Sequence, residues 1–295
     1  MAMKELRWIS PFLLLAATLL QVAACATATR GPAIMTWAEY AAKSSASDTF
    51  AAPYVVRVAG EKGSLLFFGA SHTTDLGHHQ FNMLVRLWRE FKPTVAFGEG
   101  RIWPLAPTPD DAIRRYGEQG LLRFLSERDR VRLLDSEPNP LFEFRMLRLR
   151  YPASQIKVYY ILRQVNQHRR MELTVPLEVY IKRVIDQLSQ ITGARSKPTN
   201  LEEFELLARL YCPSLKDWRR VPSSWFASTV SVNWTNELQR RVNDFRNLNF
   251  FNRLCREVRK GERVFVLMGF THAVMLEPAL RQTLSAVSLD SRLRF

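Results

Sequence analysis

The sequence predicts an α/β fold: a mixed β-sheet core flanked by helices, with a large helical insertion between two halves. Short apolar runs alternate with segments of helical period at both ends of the chain, which indicates β–α units. The same Gly-x-x-His sequence follows an apolar run twice, at 69–72 and at 269–272. Between them, residues 139–260 have a helical pattern almost throughout, and this stretch is the predicted insertion.

The composition is that of a globular protein. Of 295 residues, 47% are hydrophobic and 24% are charged, so the chain can bury a sizeable core. The net charge of +14 predicts a solvated basic surface, and it would also suit an anionic membrane surface. The sequence has no basic block with interleaved aromatic residues, so no nucleic-acid partner is expected.

The first residues have the layout of a secretory signal peptide. Basic residues precede the apolar run FLLLAATLL, and small residues follow it. The sequence VAAC at 22–25 resembles the lipobox of bacterial lipoproteins. That resemblance implies a signal peptide at 1–24 and a lipid on Cys25 that anchors the chain in the bacterial cell envelope, with the outer membrane favoured. A plain signal peptide cut nearby and an N-terminal membrane anchor remain alternatives.

Residues 25–52 are rich in Ala, Ser and Thr and are predicted to be a tether, with a short helix at TWAEYAAK. Residues 53–295 are predicted to form a single α/β domain. It begins with a hairpin, because the apolar runs YVVRVA and SLLFFG flank the turn sequence GEKG at 60–63.

Further elements follow in chain order. Apolar residues at helical spacing predict a helix over 78–91, and the run TVAFGEG predicts a strand that ends at Glu99. Thr108 followed by proline and two aspartates predicts a helix start. RVRLLDSEP predicts a strand that ends at Glu137. After the helical stretch, RVFVLMG predicts a strand, then a helix over about 273–284 and a last strand at AVSLDS.

Four predicted strands end at chemically active side chains: His72, Glu99, Glu137 and His272. In an open α/β sheet, ligands bind at the carboxyl ends of the strands. Two histidines with glutamates make a plausible open metal site that activates a water. Taken singly, each residue also has a structural explanation, as a hydrogen-bonded histidine, a helix cap or an ion pair.

Three further residues are weaker site candidates. His78 and His79 begin a predicted helix and could contact and orient the residues that form the site. Arg101 follows Glu99 closely and could pair with it. Cys212 and Cys255 either form a disulfide in an oxidising envelope or remain buried free thiols.

The segments around these residues resemble the TraB/PrgY/Tiki superfamily, which includes the erythromycin-esterase-like and ChaN-like proteins. The resemblance runs from about 55 to 285 and is best at FFGASHTTD, KPTVAFGEG, YGEQGLLRFLSERDRVRLLDSEP and RKGERVFVLMGFTHAVMLEPAL. The middle of the chain has no matching motif. The resemblance implies that His72, Glu99 and His272 form the site.

The resemblance also implies roles for residues between the two motifs. An arginine in the helix before the last strand corresponds to Arg246 of NDFRNLNFF, and Glu137 corresponds to the acid of the third strand. Arg101 is a weaker correspondence. The family leads us to expect Arg-Asp, whereas this chain has Arg246 followed by Asn247.

The activities implied by the resemblance diverge. Tiki-like members resemble metal-dependent peptidases, erythromycin-esterase-like members use a histidine base without metal, and ChaN-like members resemble haem-binding lipoproteins. Our first expectation is an envelope-anchored hydrolase acting on a peptide or a small-molecule ester. His72, Glu99 and His272 would hold a divalent metal ion, or His72 would deprotonate water directly.

In either form of the hydrolase, Glu99 or Glu137 would move protons and Arg246 would stabilise an oxyanion. Two alternatives come from other classes of protein. One is a haem- or ligand-binding lipoprotein, in which the histidines ligate iron. The other is a non-catalytic member that regulates a partner.

Overall fold

The computed structural model describes residues 33–46, 50–170, 173–193 and 196–285, and in them five strands form one mixed sheet flanked by helices. The predicted α/β class is confirmed. The strands are β1 (Tyr54–Ala59), β2 (Ser64–Ala70), β3 (Val95–Gly98), β4 (Arg132–Asp135) and β5 (Arg263–Gly269).

The sheet order is β1-β2-β5-β3-β4, and only β1 runs antiparallel to its neighbour. Strands β2, β3 and β5 are buried over almost their whole length, as expected for parallel strands covered on both faces. Their near-continuous apolar sequences therefore favour central positions in the sheet. Strand β1 has exposed positions alternating with buried ones towards its end and lies at an edge.

Nine helices lie in the described ranges. Their bounds are α1 (Trp37–Ala46), α2 (Gln80–Phe91), α3 (Pro109–Arg128), α4 (Pro140–Leu147), α5 (Ala153–Arg170), α6 (Leu177–Thr192), α7 (Leu201–Tyr211), α8 (Trp234–Arg259) and α9 (Phe270–Ser285). Helices α4 to α8 follow one another between β4 and β5. Thr108 caps α3 as predicted, because its hydroxyl accepts the Asp111 N–H.

Both faces of the sheet are covered. On one face, residues of α8 and α9 such as Leu254 and Leu280 pack against Phe67 of β2. On the other, Leu84 of α2 and Leu122 of α3 lie in the cluster around the alternate residues of β2 and β5. A separate apolar cluster joins α5, α6 and α7. The arrangement leaves the carboxyl ends of the four parallel strands together at one edge of the sheet.

The segment predicted as a tether is partly folded. Helix α1 forms where TWAEYAAK predicted one, and Met35 and Tyr40 are buried against Val274 and Met275 of α9. The Met35 N–H also donates to the Met275 carbonyl oxygen at 2.9 Å. For residues 34–44 the tether prediction is therefore wrong, because the few apolar side chains of this stretch have a partner in α9.

Some predictions lie outside the described residues, namely the signal peptide at 1–24, the lipidation site Cys25 and the last strand at 286–291. Among the described helices, none is both long and apolar enough to cross a membrane. Cys212 and Cys255 are buried free thiols, and burial raises the pKa of each to about 11.

Candidate active site

The two Gly-x-x-His motifs meet across Glu99. Because β5 lies between β2 and β3, the residues that follow these three strands converge at one point. The Nε2 atom of His72 lies 3.9 Å from one carboxylate oxygen of Glu99, and the Nε2 atom of His272 lies 3.9 Å from the other. Glu99 is therefore the centre of the site.

Glu99 is held on all sides. Its Oε2 accepts the Gly269 N–H at 2.7 Å, its Oε1 accepts a hydrogen bond from Arg246 at 3.3 Å, and its own N–H donates to Gln119. Burial acts to raise the pKa of Glu99, but Arg246 and the protonated forms of His272 and His72 outweigh it and lower the pKa to about 2. The carboxylate is ionised at any physiological pH.

His72 lies in a loop, residues 71–79, between β2 and α2. The buried Gln80 fixes the start of this loop, because its amide makes hydrogen bonds with both the N–H and the carbonyl of Ser71. The Nδ1 of His72 lies 2.6 Å from Oε1 of Glu118. That hydrogen bond raises the pKa of His72 and directs its Nε2 towards Glu99.

Glu118 reaches His72 because helix α3 is interrupted at Gly117. This glycine has φ of 60° and ψ of −143°, a conformation that side chains rarely allow. A Cβ there would lie 2.8 Å from the Thr73 carbonyl oxygen, so the loop and the helix touch directly. The interruption turns the next residue, Glu118, into the site, where it is almost fully buried.

Replacing Gly117 with alanine is expected to destabilise the protein by about 1–3 kcal/mol, because alanine adds backbone strain and a clash. The measurement is the free energy of unfolding in denaturant. Gly77→Ala is the matched control, since a Cβ at Gly77 would meet nothing closer than 3.4 Å. Equal stability of the two variants would contradict a structural requirement for glycine at 117.

His272 occupies the first turn of α9 and is buried. Its Nδ1 lies 2.6 Å from the side-chain oxygen of Asn247. Burial lowers the pKa of His272 to about 4, despite the opposing effect of Glu99. An aspartate at 247 would add a negative charge beside the ring, whereas Asn247 orients the ring without charge. Burial therefore keeps His272 neutral, and Asn247 adds no charge that would oppose it.

Gly269 lets the first motif approach the second. A Cβ at Gly269 would lie 3.2 Å from the Nε2 atom of His72 and 3.5 Å from a Glu99 oxygen. Any larger residue at the end of β5 would therefore crowd the imidazole and require it to shift. Gly269 of the second motif thus leaves room for the side chain of His72 of the first motif.

Arg246 of α8 lies between two carboxylates. Its Nη2 donates to Glu137 at 2.5 Å as well as to Glu99, and its side chain is 11% exposed. Its buried Nε–H has no hydrogen-bond partner within the part of the chain that the structure describes. Arg246 therefore brings a positive charge to the site.

The weaker candidates lie apart from this cluster. His78 and His79 stack on each other before α2, and His78 accepts the N–H of Gln80. Arg101 is exposed at the rim of a neighbouring cleft. None of the three makes a hydrogen bond or an ion pair with His72, Glu99 or His272 in the described ranges.

Glu118 and Gln119 were not predicted from the sequence, and Asn247 was noted only as a departure from the expected Arg-Asp pair. Glu118 positions His72, while Gln119 joins two strands by accepting the Glu99 N–H and donating to the Leu267 carbonyl. Two glycines flank this pair in YGEQG, inside a predicted helix. Glycines there disfavour a regular helix, and this was the signal that could have revealed them.

The donor atoms suit a metal ion only in part. Two imidazole Nε2 atoms and a carboxylate are the types of ligand that zinc takes. Both Glu99 oxygens, however, already accept hydrogen bonds, one of them from the cationic Arg246. No group of three or more His, Cys, Asp or Glu in the described residues is arranged to hold a metal ion.

Comparisons with known proteins give no relative: no family model, curated protein or solved structure matches the chain significantly. The chemistry of the site must follow from its own geometry.

Proposed function

We propose that this chain is a hydrolase in which His72, oriented by Glu118, deprotonates a water that attacks an ester or amide carbonyl. The observation that supports this is the convergence of two hydrogen-bond acceptors. With Nδ1 bonded to Glu118, the Nε2 of neutral His72 faces a Glu99 oxygen at 3.9 Å. One water can donate a hydrogen to each of these atoms at ordinary hydrogen-bond lengths.

In the proposed reaction, residues of the chain carry out each proton transfer. As the water oxygen bonds to the carbonyl carbon, its proton passes to the Nε2 of His72, and Glu118 stabilises the imidazolium. The bond from carbon to the leaving oxygen or nitrogen then breaks. His72 gives its proton to that leaving atom, and the products are a carboxylic acid and an alcohol or amine.

Arg246 stabilises the oxyanion in this proposal. Its guanidinium is almost buried and lies beside Glu99, so its positive charge can stabilise an oxygen that gains negative charge there. Glu99, with a pKa of about 2, remains an acceptor that orients the water and does not transfer protons. His272 stays neutral above a pH of about 4 and adds another acceptor.

The test is turnover of nitrophenyl esters and of peptide amides by the full chain, with and without a chelator, together with elemental analysis. Saturable hydrolysis that survives chelation is expected. Hydrolysis that is lost on chelation and restored by one divalent cation would instead indicate that the attacking water is bound to a metal ion held by His72, Glu99 and His272. No turnover of either substrate class would contradict the proposal.

Glu118→Gln is expected to move the acidic limb of the pH–rate profile to lower pH and to reduce kcat. Glu118 raises the pKa of His72, and only the neutral ring accepts a proton, so losing the carboxylate lowers the pH at which the ring becomes active. Glu127→Gln, an exposed glutamate of the same helix, is the control and should leave the limb in place. A limb that stays or rises in Glu118→Gln contradicts the assignment.

The haem alternative has its own measurement. Haem ligation by His72 or His272 would give a visible absorption band on addition of haem, and the band would disappear in the alanine variants. A regulatory member would show neither turnover nor that band. Turnover lost in the same variants supports the hydrolase.

The proposal extends to the origin and location of the chain. We infer a member of the TraB/PrgY/Tiki group in which α4 to α8 form an insertion between two Gly-x-x-His halves. The motifs and the order of the elements support this inference.

The lipobox-like sequence supports an envelope protein anchored through Cys25. Mass spectrometry of the mature N-terminus tests the anchor.

A further inference from the structure

A cleft of about 710 Å³ opens beside the site. One side of it is formed by the loops after β3 and β4, including Gly100, Ile102 and Glu137. Phe144 of α4 and Ile191 of α6 line it as well. Glu137 belongs to both the cleft and the site, since Arg246 donates to it. A ligand that contacts Glu137 in the cleft would therefore lie one residue away from Arg246.

Several polar groups of the cleft are already paired with one another or with nearby arginines, while Arg101 lies exposed at its rim. Tyr160 donates to Glu143, and Asp135 lies 3.6 Å from Arg253. What remains to contact a ligand is mainly apolar. The apolar side chains of the lining are Ile102, Pro138, Pro140, Phe144, Leu188 and Ile191. The volume lies within the range of small-molecule sites, which are mostly apolar with few polar groups.

From this lining we propose that the cleft binds the apolar acyl chain of a carboxylic ester. The inference rests on the proposed hydrolase and names its class of substrate. The acyl chain lies along Leu188 and Ile191, and the carbonyl oxygen reaches Arg246 beyond Glu137. Hydrolysis then releases a fatty acid and an alcohol, with His72 carrying the proton from the water to the leaving oxygen.

The experiment compares nitrophenyl esters of acetate, butyrate, octanoate and dodecanoate with the full chain. In the wild type, kcat/KM is expected to rise with chain length, at least about tenfold from acetate to octanoate, because each buried methylene favours binding. Ile191→Trp fills the cleft and is expected to remove most of this preference. Val179→Trp, on the exposed face of the same helix, is the matched control and should retain it.

A binding measurement separates failure of this inference from failure of the proposed function. Dodecanoate binding is measured by calorimetry on the His72→Ala variant, which keeps the cleft. Binding that is weakened about tenfold by adding Leu188→Trp supports the cleft even where no ester is hydrolysed. Hydrolysis without chain-length preference, or no binding of dodecanoate, overturns the inference and leaves the hydrolase standing if acetate is turned over.

Discussion

Replacing His72 with alanine is expected to lower kcat for ester hydrolysis about a thousandfold, within the usual range for loss of a general base. The imidazole is the only group that both faces Glu99 and has its other nitrogen fixed by a carboxylate in the described site. KM should change little, because His72 contacts the water and not the acyl chain. The measurement is steady-state kinetics at a pH above the pKa of His72.

Two controls accompany this variant. The side chain of His72 is 65% exposed, so its loss should leave the fold intact, which circular dichroism checks. His79→Ala removes an exposed histidine of the same loop and is expected to keep full activity. If His72→Ala retained more than about a tenth of the wild-type kcat, His72 would not be the base.

Arg246→Met is expected to cost about 3–5 kcal/mol of stability, as is usual when a buried ion pair loses one partner. Glu99 would keep its charge in a largely buried position without the guanidinium that stabilises it. Activity should fall about a hundredfold or more, since one oxyanion donor is typically worth that much. Denaturant unfolding and ester kinetics measure the two effects.

A double-mutant cycle identifies the origin of the stability loss. Adding Glu99→Gln to Arg246→Met removes the unpaired charge, so the double variant should be more stable than Arg246→Met alone. The loss should also shrink in acid, because without Arg246 the pKa of Glu99 rises above its folded value of about 2 and the carboxylate loses its charge as the pH falls. Arg241→Met, which breaks a half-exposed pair with Glu237, should cost at most about 1 kcal/mol. Equal costs at 241 and 246 would contradict the argument.

The sequence predicts strands well where burial alone determines them. The apolar runs that became β2, β3 and β5 are buried on both faces, and such runs have few alternatives. Because parallel strands end at a common edge, the residues after them were expected to meet, and His72, Glu99 and His272 do. The order of the strands, with β5 between β2 and β3, could not be obtained from these runs.

The residues that orient the site were harder to predict, because their roles depend on tertiary contacts. Glu118 follows a backbone interruption at Gly117 that accommodates the Thr73 carbonyl, and nothing local to α3 specifies that contact. The two motifs also differ in structure, since the first leads into a loop and the second directly into α9. Met35 and Tyr40 looked like tether residues because their partner in α9 is over 200 residues away in sequence.

One wall of the cleft comes from a different part of the chain than the reacting groups. His72, Glu99, Glu118 and His272 belong to the sheet and the helices that cover it, whereas α4, α5 and α6 contribute Phe144, Tyr160 and Ile191 to the cleft. Substrate range could therefore be redesigned by exchanging these three helices while the proton-transfer machinery is kept. Such a chimera would have one fixed requirement: α8 must still deliver Arg246 to Glu99 and Asn247 to His272.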